Sequence, residues 1–182
     1  MHIDQASFQA ADTVSAPLTN VQINRLFKAH CYLSHLSWGR ARAGARVMTV
    51  DLTKPVLVVD DYNTMIRIMH NLLKQLGFEQ VDDASDGSAA LAKLRKRDYG
   101  LVISDWNMEP MTGFALLQEM RSDPSLAEIP FIMVTAESKT ENVIAAKKAG
   151  VSNYIVKPFN AQTLKNKIDA VFGEEQIPAP AA

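Results

Sequence analysis

Five polar residues stand out because each follows a short apolar run. Asp60 and Asp61 follow Val56–Val59, Asp105 follows Leu101–Ser104, Thr135 follows Phe131–Val134, and Lys157 follows Tyr154–Val156. Singly, each has an ordinary explanation. An aspartate can cap a helix, a threonine suits a strand, and a lysine suits a solvated surface. Together they put three carboxylates, a hydroxyl and an ammonium at the same end of successive runs. Clustered carboxylates repel one another, a cost that a divalent cation removes. All-oxygen ligands beside phosphate favour Mg²⁺ over zinc. A carboxylate can also attack phosphorus and form an acyl phosphate. Such a transfer needs in-line positioning and neutralised equatorial oxygens, with little covalent help. The expected roles follow from residue type. Asp105 is the nucleophile. Mg²⁺ on Asp60, Asp61 and Asp105 neutralises one phosphoryl oxygen. Lys157 pairs with a second as a point charge, and the Thr135 hydroxyl donates to a third. Asn107 can offer its backbone carbonyl to the metal and its amide to an attacking water.

The elements that must position these groups are readable. The apolar runs at 56–59, 101–104, 131–134 and 154–156 are continuous, as in strands buried on both faces. A weaker strand covers Gln80–Ala84. Between them lie helical periods. Ile66, Met69, Leu72, Leu73 and Leu76 share a face that stops at Gly77. Leu91 and Leu94 mark a second helix, started by Asp86 or Ser88. Phe114, Leu117 and Met120 mark a third. Val143–Ala149 form a fourth, ended by Gly150, and Leu164, Ile168 and Val171 a fifth, ended by Gly173. Strict alternation with right-handed crossovers gives an α/β fold, a doubly wound five-stranded parallel sheet of the flavodoxin type. In such sheets sites form at the carboxyl ends of strands, which is where the polar residues sit.

Composition narrows the function. The 182 residues suit one domain with tails, and the 47% hydrophobic share suits a globular protein. A net charge of −1 gives no overall argument for nucleic acid. One cysteine, Cys31, excludes an internal disulfide framework and fits a reducing, cytoplasmic compartment. No apolar run approaches the ~20 residues of a membrane span. The histidines, His2, His30, His35 and His70, show no metal-ligand spacing with cysteine.

The acidic pair after the first strand, the aspartate after the third, Thr-Ala after the fourth and Lys-Pro after the fifth resemble the response regulator receiver set. The resemblance extends to chemotaxis regulators of the CheY type through Val58-Val59-Asp60-Asp61, Val102-Ile103-Ser104-Asp105-Trp106-Asn107-Met108, Met133-Val134-Thr135-Ala136-Glu137 and Tyr154-Ile155-Val156-Lys157-Pro158-Phe159. Thr135 and Lys157 stand 30 and 52 residues beyond Asp105, spacings also similar to that group. The similar region runs from about residue 54 to residue 172. The resemblance implies a single-domain regulator, phosphorylated on aspartate by a histidine kinase of the CheA type. Its phosphorylated form would bind the flagellar motor switch, and a phosphatase would be a further partner. It implies no enzyme beyond self-phosphorylation from small donors and self-dephosphorylation. Two departures mark the loop after Asp105. Glu109 takes the place where proline is usual, with Pro110 after it, and Thr112 stands where aspartate is common. The loop is still expected to turn into its helix at Gly113.

The chain divides into an extension over 1–53, a receiver domain over 54–173 and a flexible tail over 174–182. The extension reads as a disordered tail or as a mis-assigned start, with Met48 the true first residue. A weak amphipathic period through Leu26, Phe27, His30, Leu33 and Leu36 also suits a partner or membrane-surface helix. The output surface is expected on the fourth helix, fifth strand and fifth helix. There an inward movement of Thr135 would let Tyr154 turn inward and reshape the surface near Lys139–Lys148. Little chain remains after Phe172 for a DNA-binding domain. Rival readings remain open: a receiver serving as phosphate sink or phosphorelay shuttle, a phosphatase or phosphotransferase, and a flavin carrier on the same fold. The enzyme usually needs a second acid where this chain has Asn107, and the acidic edge disfavours a flavin phosphate.

Overall fold

The computed structural model describes residues 18–23, 51–136 and 138–173. The amphipathic period at 26–36, Glu137 and the tail at 174–182 lie outside the described residues.

Ten elements alternate along the domain. They are β1 (Val56–Val59), α1 (Asn63–Gln75), β2 (Val81–Ala84), α2 (Gly87–Leu94), β3 (Leu101–Asp105), α3 (Gly113–Ser122), β4 (Phe131–Thr135), α4 (Thr140–Lys148), β5 (Asn153–Val156) and α5 (Ala161–Phe172). The sheet order is β2-β1-β3-β4-β5, and every pairing is parallel. This is the doubly wound sheet expected from the sequence. Strand ends differ from that expectation by one residue, because β3 and β4 take in Asp105 and Thr135.

Period-two alternation sorts the strand residues into two layers. Val56, Val58, Ile103, Ile132, Val134 and Ile155 pack with Met69 and Leu73 of α1 and with Leu164 and Ile168 of α5. Leu57, Val59, Val102, Met133 and Tyr154 pack with residues of α2, α3 and α4. Each fully buried aliphatic side chain contributes about 1.5–3 kcal/mol relative to exposure, so both faces must be covered.

Local chemistry fixes the helix starts. Asp86 accepts from the backbone N–H groups of Ser88 and Ala89 at 2.7 and 3.0 Å, which settles the start of α2. Thr112 accepts from the Ala115 N–H at 3.1 Å and caps α3, so threonine performs at this position the capping that aspartate could. Glu109–Pro110 and Lys157–Pro158 are cis.

Within the extension, the described residues 18–23 pack against the domain. Thr19 and Gln22 form a reciprocal cap, with the Thr19 N–H donating to Gln22 Oε1 at 2.8 Å and the Gln22 N–H to Thr19 Oγ1 at 3.4 Å. Helical backbone follows at 20–23, and Ile23 is fully buried in the α2–α4 layer.

Candidate functional site

The strand order reverses between β1 and β3, since β2 lies outside one and β4 outside the other. A crevice opens at the carboxyl ends of strands at such a point. Val59 pairs with Ser104, so Asp60 and Asp105, each one residue further on, arrive side by side. Val134 pairs with Asp105 and Val156 with Thr135, which brings Thr135 and Lys157 to the same edge.

Lys157 joins the two aspartates. Its Nζ lies 2.8 Å from Asp105 Oδ1 and 3.1 Å from Asp60 Oδ2. The remaining carboxylate oxygens are held by backbone. Asp60 Oδ1 accepts from the Tyr62 N–H at 2.9 Å, and Asp105 Oδ2 from the Asn107 N–H at 3.0 Å. Both aspartates are nearly enclosed, at 4% and 8% exposure. Burial raises the Asp60 pKa, against the lowering effects of the Tyr62 N–H and of Lys157. Burial alone would lower the Lys157 pKa, but the hydrogen bond and charge of Asp105, then those of Asp60, outweigh it and hold the ammonium above the ordinary lysine value.

Not every expected residue joins this group. Thr135 is buried, and its carbonyl accepts from the Lys157 N–H at 2.7 Å. Asn107 is exposed at the rim with its N–H on Asp105. Asp61 is also exposed, and among the described residues no three His, Cys, Asp or Glu side chains gather closely enough to hold a metal. The three-carboxylate cluster expected from sequence is therefore a pair bridged by lysine, with Asp61 outside it. Asp61 follows the last β1 residue by two, beyond the strand that would fix its direction. Tyr154 is fully buried, on the opposite face from Lys157 as strand alternation requires.

Two residues matter more than their sequence context suggested. A Cβ on Gly113 would come within 1.9 Å of the Asp105 carbonyl oxygen and 2.7 Å of Ser104 Oγ. Only glycine lets the loop return this closely, and its N–H donates to the Trp106 carbonyl at 3.0 Å. Ser104, fully buried, donates its hydroxyl to the Asp105 carbonyl at 2.9 Å. A glycine where the loop re-enters a helix was the available signal for the first. Nothing in the sequence marked the second. Trp106 then stacks on Phe114 at 5.0 Å between ring centroids and meets Tyr154 edge-on at 6.3 Å.

The donor set suits a hard divalent cation in composition. Two enclosed carboxylates share one ammonium, Asp61 stands at the rim, and every donor is oxygen.

Residues 56–169 match the family described as response regulator receiver domain. The chain belongs to that family. The chemotaxis protein CheY-3 of Vibrio cholerae serotype O1 is 50% identical over 117 residues, covering 64% of this chain and 90% of the relative. The chemotaxis protein CheY of Pseudomonas aeruginosa is 48% identical over 117 residues, 64% of this chain and 94% of that one. The solved structure of the chemotaxis protein CheY4 of V. cholerae superposes with a TM-score of 0.62 at 34% identity, over 65% of this chain and 98% of that chain. This receiver is thus related to CheY. No helix among its described residues is long and apolar enough to cross a membrane.

Proposed function

We propose that this receiver is a phosphorylation switch in which Asp105 accepts a phosphoryl group from a histidine kinase. The observation that supports this most is the Lys157 ammonium held between Asp105 and Asp60 at the crevice. An Asp105 carboxylate oxygen attacks phosphorus, and a new P–O bond forms. The bond to the donor breaks, and the leaving group keeps the electron pair. Lys157 is placed to follow the negative charge from the carboxylate to the phosphoryl oxygens. Thr135, one pairing step from Lys157, supplies a hydroxyl at the same edge. Asp60 and Asp105, with the Asn107 carbonyl and with Asp61 reaching in from the rim, would hold Mg²⁺. The metal would supply charge neutralisation for the transferring group. No further enzymatic activity is proposed beyond self-phosphorylation from small donors and self-dephosphorylation.

The relatives named as chemotaxis proteins support a role in motor control, with the phosphorylated form binding the flagellar motor switch in the cytoplasm. The output surface is the face of α4, β5 and α5, reached through Tyr154. The test uses acetyl phosphate and Mg²⁺ with the full chain, read by intact mass. The expected result is one added phosphoryl group that is lost in Asp105→Asn and absent when EDTA is present. Undiminished phosphorylation of Asp105→Asn would reject the reading. Phosphorylation without any gain in affinity for the motor switch would leave a phosphate sink or relay instead.

A further inference from the structure

β5 is one of the two edge strands of the sheet. Its Lys157-side pairing faces β4, where the Lys157 N–H donates to the Thr135 carbonyl at 2.7 Å. Its outward backbone groups belong to Tyr154 and Val156. Unpaired edge groups of this kind are a template for another chain. Here both N–H groups and the Val156 carbonyl are satisfied. The Tyr154 N–H donates to the Asn153 side chain at 2.9 Å. The Val156 N–H donates to Asn20 Oδ1 at 2.9 Å, and Asn20 Nδ2 donates to the Val156 carbonyl at 3.1 Å. One amide side chain, 136 residues away in sequence, thus takes both edge groups of Val156.

Two more contacts fix the same segment. The Leu18 N–H donates to the Ser138 carbonyl at 2.9 Å, just before α4. Ile23 has 0% exposure and belongs to the packed cluster of Val143, Ala146 and Tyr154, while Leu18 packs against that cluster. Val21 points the other way, at 65% exposure. The segment therefore has a cap, an edge-strand clamp and one buried aliphatic anchor. That is the grammar of a short helix docked in a groove.

We propose that residues 18–23 are an intramolecular ligand of the β5 edge and the adjoining face of α4, where they compete with a partner's helix. That a partner uses this face rests on the output surface proposed above. Tethering makes the docking intramolecular, so even weak intrinsic affinity keeps the groove filled. A partner binding there must displace Asn20 from Val156 and Ile23 from the cluster.

Two measurements on the full chain test this. The first is backbone amide hydrogen exchange. Asn20→Ala should speed exchange of the Val156 amide by about tenfold or more, while the Lys157 amide, bonded to β4, keeps its rate. Equal Val156 rates in both proteins would overturn the docking. The second titrates a labelled synthetic peptide of residues 16–27 into the wild-type chain and into Ile23→Asp. Occupation of the groove in cis predicts binding to the variant about tenfold or more tighter than to wild type. Equal affinity for both, or none for either, would overturn the competition. Asn20→Ala serves the same comparison where Ile23→Asp does not fold. Neither readout involves phosphorylation, so a failure of Asp105 labelling is a separate result.

Discussion

The two faces of the sheet are built from the same kind of strand residues and do different work. The face under α1 and α5 is lined by aliphatic and phenylalanine side chains, carries the buried Lys167, and at its carboxyl edge carries Asp60 and Asp105 beside Met65 and Met69. The face under α2, α3 and α4 carries Trp106, which adjoins Asp105, then Tyr154 and the docked Ile23. Two lysines, one half-buried and one buried, sharpen the contrast between site and packing. Lys157, at the site, has two carboxylates and a raised pKa. Lys167, away from the site, is bonded to Asn153 Oδ1 at 3.2 Å, and burial pushes its pKa down to about 8. A group away from the site can carry an unpaired charge as a plain stability cost. The opposite layer is instead continuous from Trp106, next in sequence to Asp105, through Tyr154 to the docked Ile23.

The strongest way to break this picture is to disturb the return of the loop over Asp105. Gly113→Ala places its Cβ against backbone, which cannot rotate away. The expected cost is about 3 kcal/mol or more, read by denaturant unfolding, together with loss of Asp105 phosphorylation. A variant of unchanged stability would show that the close approach does not constrain the loop.

Next in size is the site lysine. Lys157→Met leaves Asp60 and Asp105 facing each other without a cation. The expected loss is about 2–4 kcal/mol in the absence of Mg²⁺, and added Mg²⁺ should recover more stability in the variant than in wild type. Equal Mg²⁺ stabilisation of both proteins would argue against metal at these carboxylates.

The smallest effect has the opposite sign. Lys167→Met removes a buried ammonium, and Asn153 Oδ1 keeps the Tyr154 N–H as a partner. A gain on the order of 1–2 kcal/mol is expected at neutral pH. In the wild type, the folded pKa of about 8 lies below the ordinary 10.5, so in that window the unfolded chain holds a proton that the folded chain has released. Stability should therefore rise with pH through that interval, and the rise should vanish in Lys167→Met. A wild-type curve that falls or stays flat there would contradict the assignment.

Much of this was legible because the relevant signals are local. Strands buried on both faces read as continuous apolar runs, and three of those runs lead into Asp60, Asp105 and Lys157, which meet at one edge. β2 read more weakly because the edge strand carries Asp82 and Asp83 among few apolar residues. The meeting of Asp60, Asp105 and Lys157 followed from the rule that parallel strands deliver their ends to one edge. Asp61 did not follow, because no strand pairing fixes a residue beyond the strand end. The docking of residues 18–23 was missed for a different reason. Its partners, Ser138 and Val156, are distant in sequence, and no periodicity reports a contact of that kind. The capping pattern of Thr19 and Gln22 was the one local signal available, and it marks a helix start without saying what the helix packs on.

The most direct test of the account is to locate the phosphoryl group itself. The chain is phosphorylated with acetyl phosphate and Mg²⁺, the acyl phosphate is reduced with borohydride, and the reduced residue is mapped by peptide mass spectrometry. The account predicts reduction at Asp105 alone. Reduction at Asp60 or Asp61, with Asp105 unmodified, would contradict it.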